Sequence, residues 1–228
     1  MKAEELVSAG MQRGRASASA RPAPLIRHLG VTDYTTSWEA MRRFTAERGA
    51  GTPDELWVLE HPPVYTSGIA GRSEHFPRTS SIPLVRADRG GQITYHGPGQ
   101  AIVYTLVDLE RRRLTVRGMV VLIEQAVIET LAQCGVSAET KTGAPGVYVE
   151  GAKIAALGLR VRRGGCYHGV ALNVDMDLAP FSDIDPCGYP GLEVTQTSAH
   201  GVAADVPELG EALAHRIAQL LETRLESR

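Results

Sequence analysis

The groups in this 228-residue chain best suited to covalent chemistry are one lysine and one cysteine. Only three of its 24 cationic side chains are lysines, Lys2, Lys141 and Lys153. Arginine stays charged in proteins, whereas a lysine amine can give up its proton. Codon usage in a GC-rich genome accounts for the skew as a whole, and a solvated strand end accounts for an average lysine. Lys153, however, opens the run Ile154-Ala155-Ala156-Leu157-Gly158-Leu159, whose small side chains leave room for a ligand. Cys187 lies in Asp185-Pro186-Cys187-Gly188-Tyr189-Pro190-Gly191, a rigid loop by its prolines and glycines. Structural cysteines usually sit inside regular elements, as expected for Cys134 in a helix and Cys166 in a strand.

A loop thiol beside the Gly188 N–H is a candidate nucleophile, although an inert loop thiol would be written the same way. A free thiol has a pKa near ~8.5, so little of it is thiolate at neutral pH. A neighbouring ammonium lowers that pKa, and a neutral lysine acts as base. His96 and His168 are the alternative partners, in a protease-like dyad. There is no GxSxG for a serine nucleophile. Cys166, His168 and Cys187 lack zinc spacing, so no metal is expected.

The third feature is Arg89-Gly90-Gly91-Gln92-Ile93-Thr94-Tyr95-His96-Gly97-Pro98-Gly99-Gln100. It matches neither GxGxxG nor GxxxxGKS. Its glycines allow close approach of a ligand to the backbone, Arg89 offers a fork of donors, and His96 titrates near neutrality. The segment is longer than a hairpin turn needs, which favours a substrate-lining wall over a plain surface loop.

These residues need a scaffold. Asp33 is a plausible N-cap for a helix to Arg48, with Tyr34, Trp38, Met41 and Thr45 on one face. Leu56 to Glu60, Ile82 to Ala87 and Ala101 to Leu109 read as strands. Val116, Val120, Ile123, Val127 and Leu131 form a helical stripe closed by Gly135. Gly146 to Glu150, Lys153 to Val161 and Cys166 to Val174 read as a β-meander turning at Glu150-Gly151 and Arg163-Gly164-Gly165. A last helix begins near Pro207, with Leu209, Leu213, Ile217 and Leu220 on one side. The mixture predicts an α+β domain, a mixed sheet flanked by helices.

Residues 1–24 carry no apolar period and read as a disordered N-terminal extension; residues 25–228 form the domain. Hydrophobic residues make up 43% and charged residues 22%, as in a folded soluble protein. The net charge of −2 argues against nucleic-acid binding, and no apolar run is long enough for a membrane span. Three cysteines without a CxxC suit a reducing cytoplasm.

The blocks RGGQITYHGPGQ, GAKIAALGLRVRRGGCYHGVALNVDMDL and DPCGYPGLE, in that order and spacing, resemble the octanoyltransferase family, also called lipoyl(octanoyl) transferases. The resemblance spans about residues 30–220. It implies a fold like that of biotin and lipoate protein ligases. It also implies transfer of an octanoyl group from the phosphopantetheine of acyl carrier protein to a lysine of a lipoyl domain, in a 2-oxoacid dehydrogenase or the glycine-cleavage H protein. No separate cofactor is implied. By resemblance Cys187 is the acyl-thioester nucleophile and Lys153 tunes its thiol. Arg89, Gly90, Gly91, Gln92, Ile93, Thr94, Tyr95 and His96 match one substrate wall; Ala156, Leu157 and Gly158, with Gly169, Val170 and Ala171, match the others. Arg160, Arg162 and Arg163 are either a docking patch for the acidic carrier or an ordinary solvated turn. The alternatives in other classes are an ATP-dependent lipoate ligase, a cysteine thioester hydrolase and a silent lipoyl-domain binder.

Overall fold

The computed structural model describes residues 22–77, 80–186 and 191–223. The chain opens with β1 (Leu25–Val31) and α1 (Tyr34–Glu47), continues through β2 (Glu55–Glu60), β3 (Val64–Ser67), β4 (Leu84–Arg86), β5 (Ile93–His96) and β6 (Gln100–Asp108), and then enters the short α2 (Leu109–Arg112) and the long α3 (Val116–Gln133). β7 (Glu139–Lys141), β8 (Ala144–Val149), β9 (Ala152–Arg162) and β10 (Gly165–Asn173) follow, and α4 (Val206–Thr223) closes the described chain.

Two sheets result. The larger has seven strands in the order β1-β2-β6-β10-β9-β8-β7; the smaller has three, β4-β3-β5. In the large sheet β1 and β2 are parallel and the remaining pairs antiparallel, which makes it the mixed sheet expected. The meander turns at Glu150-Gly151 and Arg163-Gly164, all four residues at positive φ as two-residue hairpins of this twist require.

Both faces of the large sheet are covered. α3 and α4 bury Met119, Ile123, Val127, Leu213 and Ile217 against Val103, Val107, Ile154 and Leu172. On the opposite face Met41 of α1 packs with Trp57, Ile102, Tyr104 and Tyr167. Asp33 caps α1, its carboxylate accepting the Thr36 N–H at 3.0 Å. Asp205 and Glu208 form a reciprocal capping box at the start of α4.

Two elements differ from expectation. The glycine-rich segment is not all loop, because Ile93–His96 pairs with β3 in the small sheet. The stripe on α3 starts later and is broader than expected: Ile123, Val127 and Leu131 are buried with Met119, Leu122 and Ala126 beside them, whereas Val116 is 47% exposed. The first turn of α3 borders a cleft rather than the sheet, so its valines line that cleft.

Candidate active site

β9 and β10 carry small residues where they run side by side, with Ala156 opposite Ala171 and Gly158 opposite Gly169. A Cβ on Gly169 would lie 2.0 Å from the Val103 carbonyl oxygen, so that position excludes any side chain. A Cβ on Gly158 would meet the Gly90 oxygen at 3.0 Å and Arg89 Cδ at 3.1 Å. The segment from Arg89 onward is held over this trough, its Gly90 N–H donating to the Leu159 carbonyl at 2.9 Å.

Between the two lies a narrow cavity of about 50 Å³. One wall is Arg89, Gly91, Gln92, Ile93, Thr94 and His96; the other is Ala156, Leu157, Gly158, Gly169, Val170 and Ala171. Gly90 lines the adjoining cleft of about 300 Å³, which shares Gly91, Gln92, Leu157 and Gly158 with the cavity and contains Lys153. Tyr95 departs from the expected wall. Alternation along β5 turns its ring, and the Ile93 side chain with it, into the cluster of Tyr65 and Phe181, whose rings lie 5.6 and 5.5 Å from the Tyr95 centroid.

Lys153 is buried near the start of β9. Its Nζ donates to the Pro145 carbonyl at 3.1 Å and lies 5.2 Å from the centre of the Tyr148 ring. Gly146 makes room for it, since a Cβ there would stand 3.0 Å from Lys153 Cε. The backbone of Lys153 is bonded to the segment beyond the cysteine loop, through Lys153 N–H to Glu193 O at 2.8 Å and Thr195 N–H to Lys153 O at 2.9 Å. Cys187 itself lies outside the described residues; Pro186 and Gly191 on either side of it line a cleft with Ala152 and Thr195. Of the other cysteines, Cys166 is buried in β10, and burial pushes its thiol up to about 12. Such a thiol is inert.

Four further residues line the cavity: Tyr34, Ile102, Tyr104 and His168. Helical or strand periodicity marks the first three only as core, and no local signal separates a core tyrosine from a pocket tyrosine. His168, weighed above as a thiol partner, has φ of 62°, a left-handed backbone rare for a side-chain-bearing residue and a pointer to a constrained site.

The polar groups here are held neutral or tied down. Burial lowers His61 to about 4 and His96 to about 3. Burial also lowers His168, against the opposing pull of the Asp88 carboxylate 3.0 Å from its Nε2. Asp88 collects donors from Trp38 Nε1 at 2.8 Å and Tyr167 Oη at 2.5 Å as well. Those bonds outweigh desolvation and hold its carboxyl well below the usual range. Receiving the Nε2 proton of His168 leaves His168 Nδ1 as an acceptor, buried with no partner among the described residues. Among the described residues the only formal cation on the cavity wall is the Arg89 guanidinium, which donates to Thr66 and to the Gly90 carbonyl. The arrangement suits a neutral, slender substrate on a wall of small residues, with an amine at one end. Among the described residues no three His, Cys, Asp or Glu side chains gather as metal ligands. No helix there is long and apolar enough to cross a membrane.

Residues 33–218 match the family model of the lipoyl protein ligase A/B catalytic domain. An octanoyltransferase of Aromatoleum aromaticum is 62% identical over 200 residues, covering 88% of this chain and 87% of its own. An octanoyltransferase of Dechloromonas aromatica is 55% identical over 201 residues, covering 88% and 98%. In three dimensions the chain is similar to lipoate-protein ligase A bound with ATP, with a TM-score of 0.73 at 17% identity over 88% of this chain and 86% of that one. The biotin protein ligase of Aquifex aeolicus in complex with biotin and ATP gives a TM-score of 0.57 at 13% identity over 89% and 72%. At such identities the structural likeness speaks for the fold alone, which is that of the biotin and lipoate ligases.

Proposed function

The chain belongs to the octanoyltransferase family of the lipoyl protein ligase A/B catalytic-domain type, a family of acyltransferases, and we propose that it carries octanoyl groups from acyl carrier protein to a lysine of lipoyl domains through a thioester on Cys187. The observation that carries this reading is the narrow trough under the Arg89–His96 wall, which opens into the cleft that holds Lys153.

The acyl chain lies in the slot between the Arg89–His96 wall and the β9–β10 pair, lined by Ala156, Leu157, Val170 and Ala171. Burying about six methylenes at ~0.8 kcal/mol each anchors it by roughly 5 kcal/mol. The Cys187 thiolate attacks the thioester carbonyl, and the phosphopantetheine sulfur leaves as the thiolate and takes a proton. The acceptor lysine amine then attacks the enzyme thioester; the amide forms, and Cys187 leaves as thiolate. Lys153 takes up the Cys187 proton and passes it to the departing phosphopantetheine sulfur in the first half; in the second it takes one from the attacking amine and returns it to the Cys187 thiolate. Thioester exchange is nearly balanced and aminolysis is downhill, so the two steps need no ATP. The phosphopantetheine arrives on the donor, and the chain supplies binding, orientation and proton handling.

Intact mass spectrometry after mixing the protein with octanoyl-acyl carrier protein tests this. One octanoyl adduct is expected, mapping to Cys187 and absent from Cys187→Ala. Acceptor modification with no adduct on the enzyme, or dependence on ATP and free octanoate, overturns the reading in favour of a ligase. Octanoate release without acceptor modification overturns it in favour of a hydrolase.

A further inference from the structure

A single file of buried polar groups connects the cavity wall to the backbone at Lys153. Arg89 Nη2 donates to Thr66 Oγ1 at 2.9 Å. Thr66 Oγ1 lies 3.3 Å from His96 Nε2, and His96 Nδ1 lies 2.8 Å from Gln100 Oε1. Gln100 Nε2 donates to Asn173 Oδ1 at 2.9 Å, and Asn173 Nδ2 donates to the Thr195 carbonyl at 2.9 Å. The Thr195 N–H in turn donates to Lys153 O, also at 2.9 Å. Thr66, His96, Gln100 and Asn173 are all buried.

The direction of this file is determined by its ends. A guanidinium only donates and a backbone carbonyl only accepts. Thr66 therefore gives its proton to His96 Nε2, His96 carries its own proton on Nδ1, and each amide can be oriented only one way. In a buried chain each bond polarises the next, so the last donor is both strengthened and held in place.

We infer that Asn173, the last side chain of the file, is a positioning residue for Lys153. It holds the Thr195 carbonyl, and the N–H on the other side of the same Cα holds the Lys153 carbonyl, so fixing Thr195 fixes the β9 backbone from which the Lys153 side chain projects. Thr195 follows the cysteine loop in sequence by a few residues, so Asn173 sets the lysine's frame from the loop's far side. Nothing in the family match assigns this residue a role. The inference rests on the proposed transfer reaction only for its kinetic readout.

Asn173→Asp separates positioning from mere packing. The variant keeps an acceptor for Gln100 but, when ionised, turns a second oxygen toward the Thr195 carbonyl in place of a donor. When protonated it regains the donor. The file also touches His96, Lys153 and His200, whose Nε2 is 3.0 Å from Thr195 Oγ1. The wild-type pH profile is measured beside the variant as the reference for these groups. The expected result is an Asn173→Asp kcat at least 30-fold below wild type at pH 8, recovering at least fivefold relative to wild type by pH 6, with KM for the acyl donor within threefold. Asn173→Ala shows the loss without the acid recovery. Hydrogen exchange on the full chain gives a readout independent of turnover: the Thr195 and Lys153 amides lose protection in Asn173→Asp at pH 8 and regain it at pH 6, while the β6 and β10 amides do not change. A flat pH ratio, or unchanged protection at those two amides, overturns the inference. Wild-type protein that transfers no octanoyl group overturns the functional reading, and the exchange measurement still decides the role of Asn173.

Discussion

Lys153 illustrates what a residue type decides and what its surroundings decide. Rarity of lysine singles it out, and the apolar run after it predicts space. The structure adds the carbonyl of Pro145, the face of Tyr148 and the side-chain-free position at Gly146. Lys153→Arg keeps the charge and removes the titratable amine, so a loss of at least 100-fold in kcat is expected with folding intact. Stopped-flow transfer assays check this, and near-normal turnover would exclude a proton-handling role. Gly146→Ala is expected to act through the lysine. Its methyl would sit 2.8 Å from the Ala155 oxygen and 3.0 Å from Lys153 Cε at a φ of 135°, displacing the amine. Lower kcat with KM within threefold is the expected split. Cys166 makes the complementary point: its burial in a strand is legible in sequence and its chemistry is thereby excluded.

At the scale of elements, the trough belongs to a pair of strands rather than to any residue. Small residues at Ala156 and Gly158 mean little until register brings them beside Ala171 and Gly169. Gly158→Ala is expected to narrow the slot by one methyl against Gly90 and Arg89. The ratio of kcat/KM for octanoyl over butanoyl donors should fall several-fold, within the ~1–3 kcal/mol a methylene commands; an unchanged ratio would mean the chain lies elsewhere. Asp88 joins elements in a different way, tying Trp38 of α1 to Tyr167 and His168 of β10. Asp88→Ala leaves buried His168, buried Tyr167 and the half-buried Trp38 N–H without their acceptor, and about 2–4 kcal/mol of stability should be lost in urea unfolding. The pattern of β5 was hidden because glycines surround it. Period-two alternation is visible in Ile93-Thr94-Tyr95-His96 only after a partner strand is known, which is why Tyr95 is expected in the wall and found behind it.

The whole molecule sets its response to pH and its polarity. His61 and His96 are held neutral to about 4 and about 3, whereas an unfolded histidine titrates near ~6.5. Between those values the unfolded chain binds more protons, so stability rises with pH through that window and falls on acidification below about 6.5. Asp88 adds the same sign lower down, its contribution complete above the ordinary carboxylate range and lost as pH falls below ~4. Urea unfolding between pH 7 and 4.5 should therefore lose up to ~1.4 kcal/mol per pH unit for each of the two histidines. His96→Leu should flatten the slope by about one proton; an unaltered slope would show that His96 is not the group responsible. Polarity of the molecule favours one of the two readings of the β9 arginines, the solvated turn. Lys153 and Arg162 stand at opposite ends of β9, an 11-residue strand roughly 30 Å long at ~3.3 Å per residue. The exposed Arg162 and Arg163 are thus remote from the amine. Replacing both by Ala should change kcat/KM for the acyl-carrier substrate by less than twofold, as a titration of donor at low salt would show.

The amino-acid sequence by itself determined the helices, the meander and its turns, and the residue types able to do chemistry. These rest on local rules: capping by Asp33, positive φ at Glu150-Gly151 and Arg163-Gly164, and the titratable amine of Lys153. Only the tertiary structure decided which side of a strand faces the cavity, which tyrosines and histidines join it, and how Arg89 is wired through Asn173 to the edge of β9. Those depend on register, burial and direction of hydrogen bonds between residues up to about a hundred positions apart, and no local spacing encodes a contact at that separation.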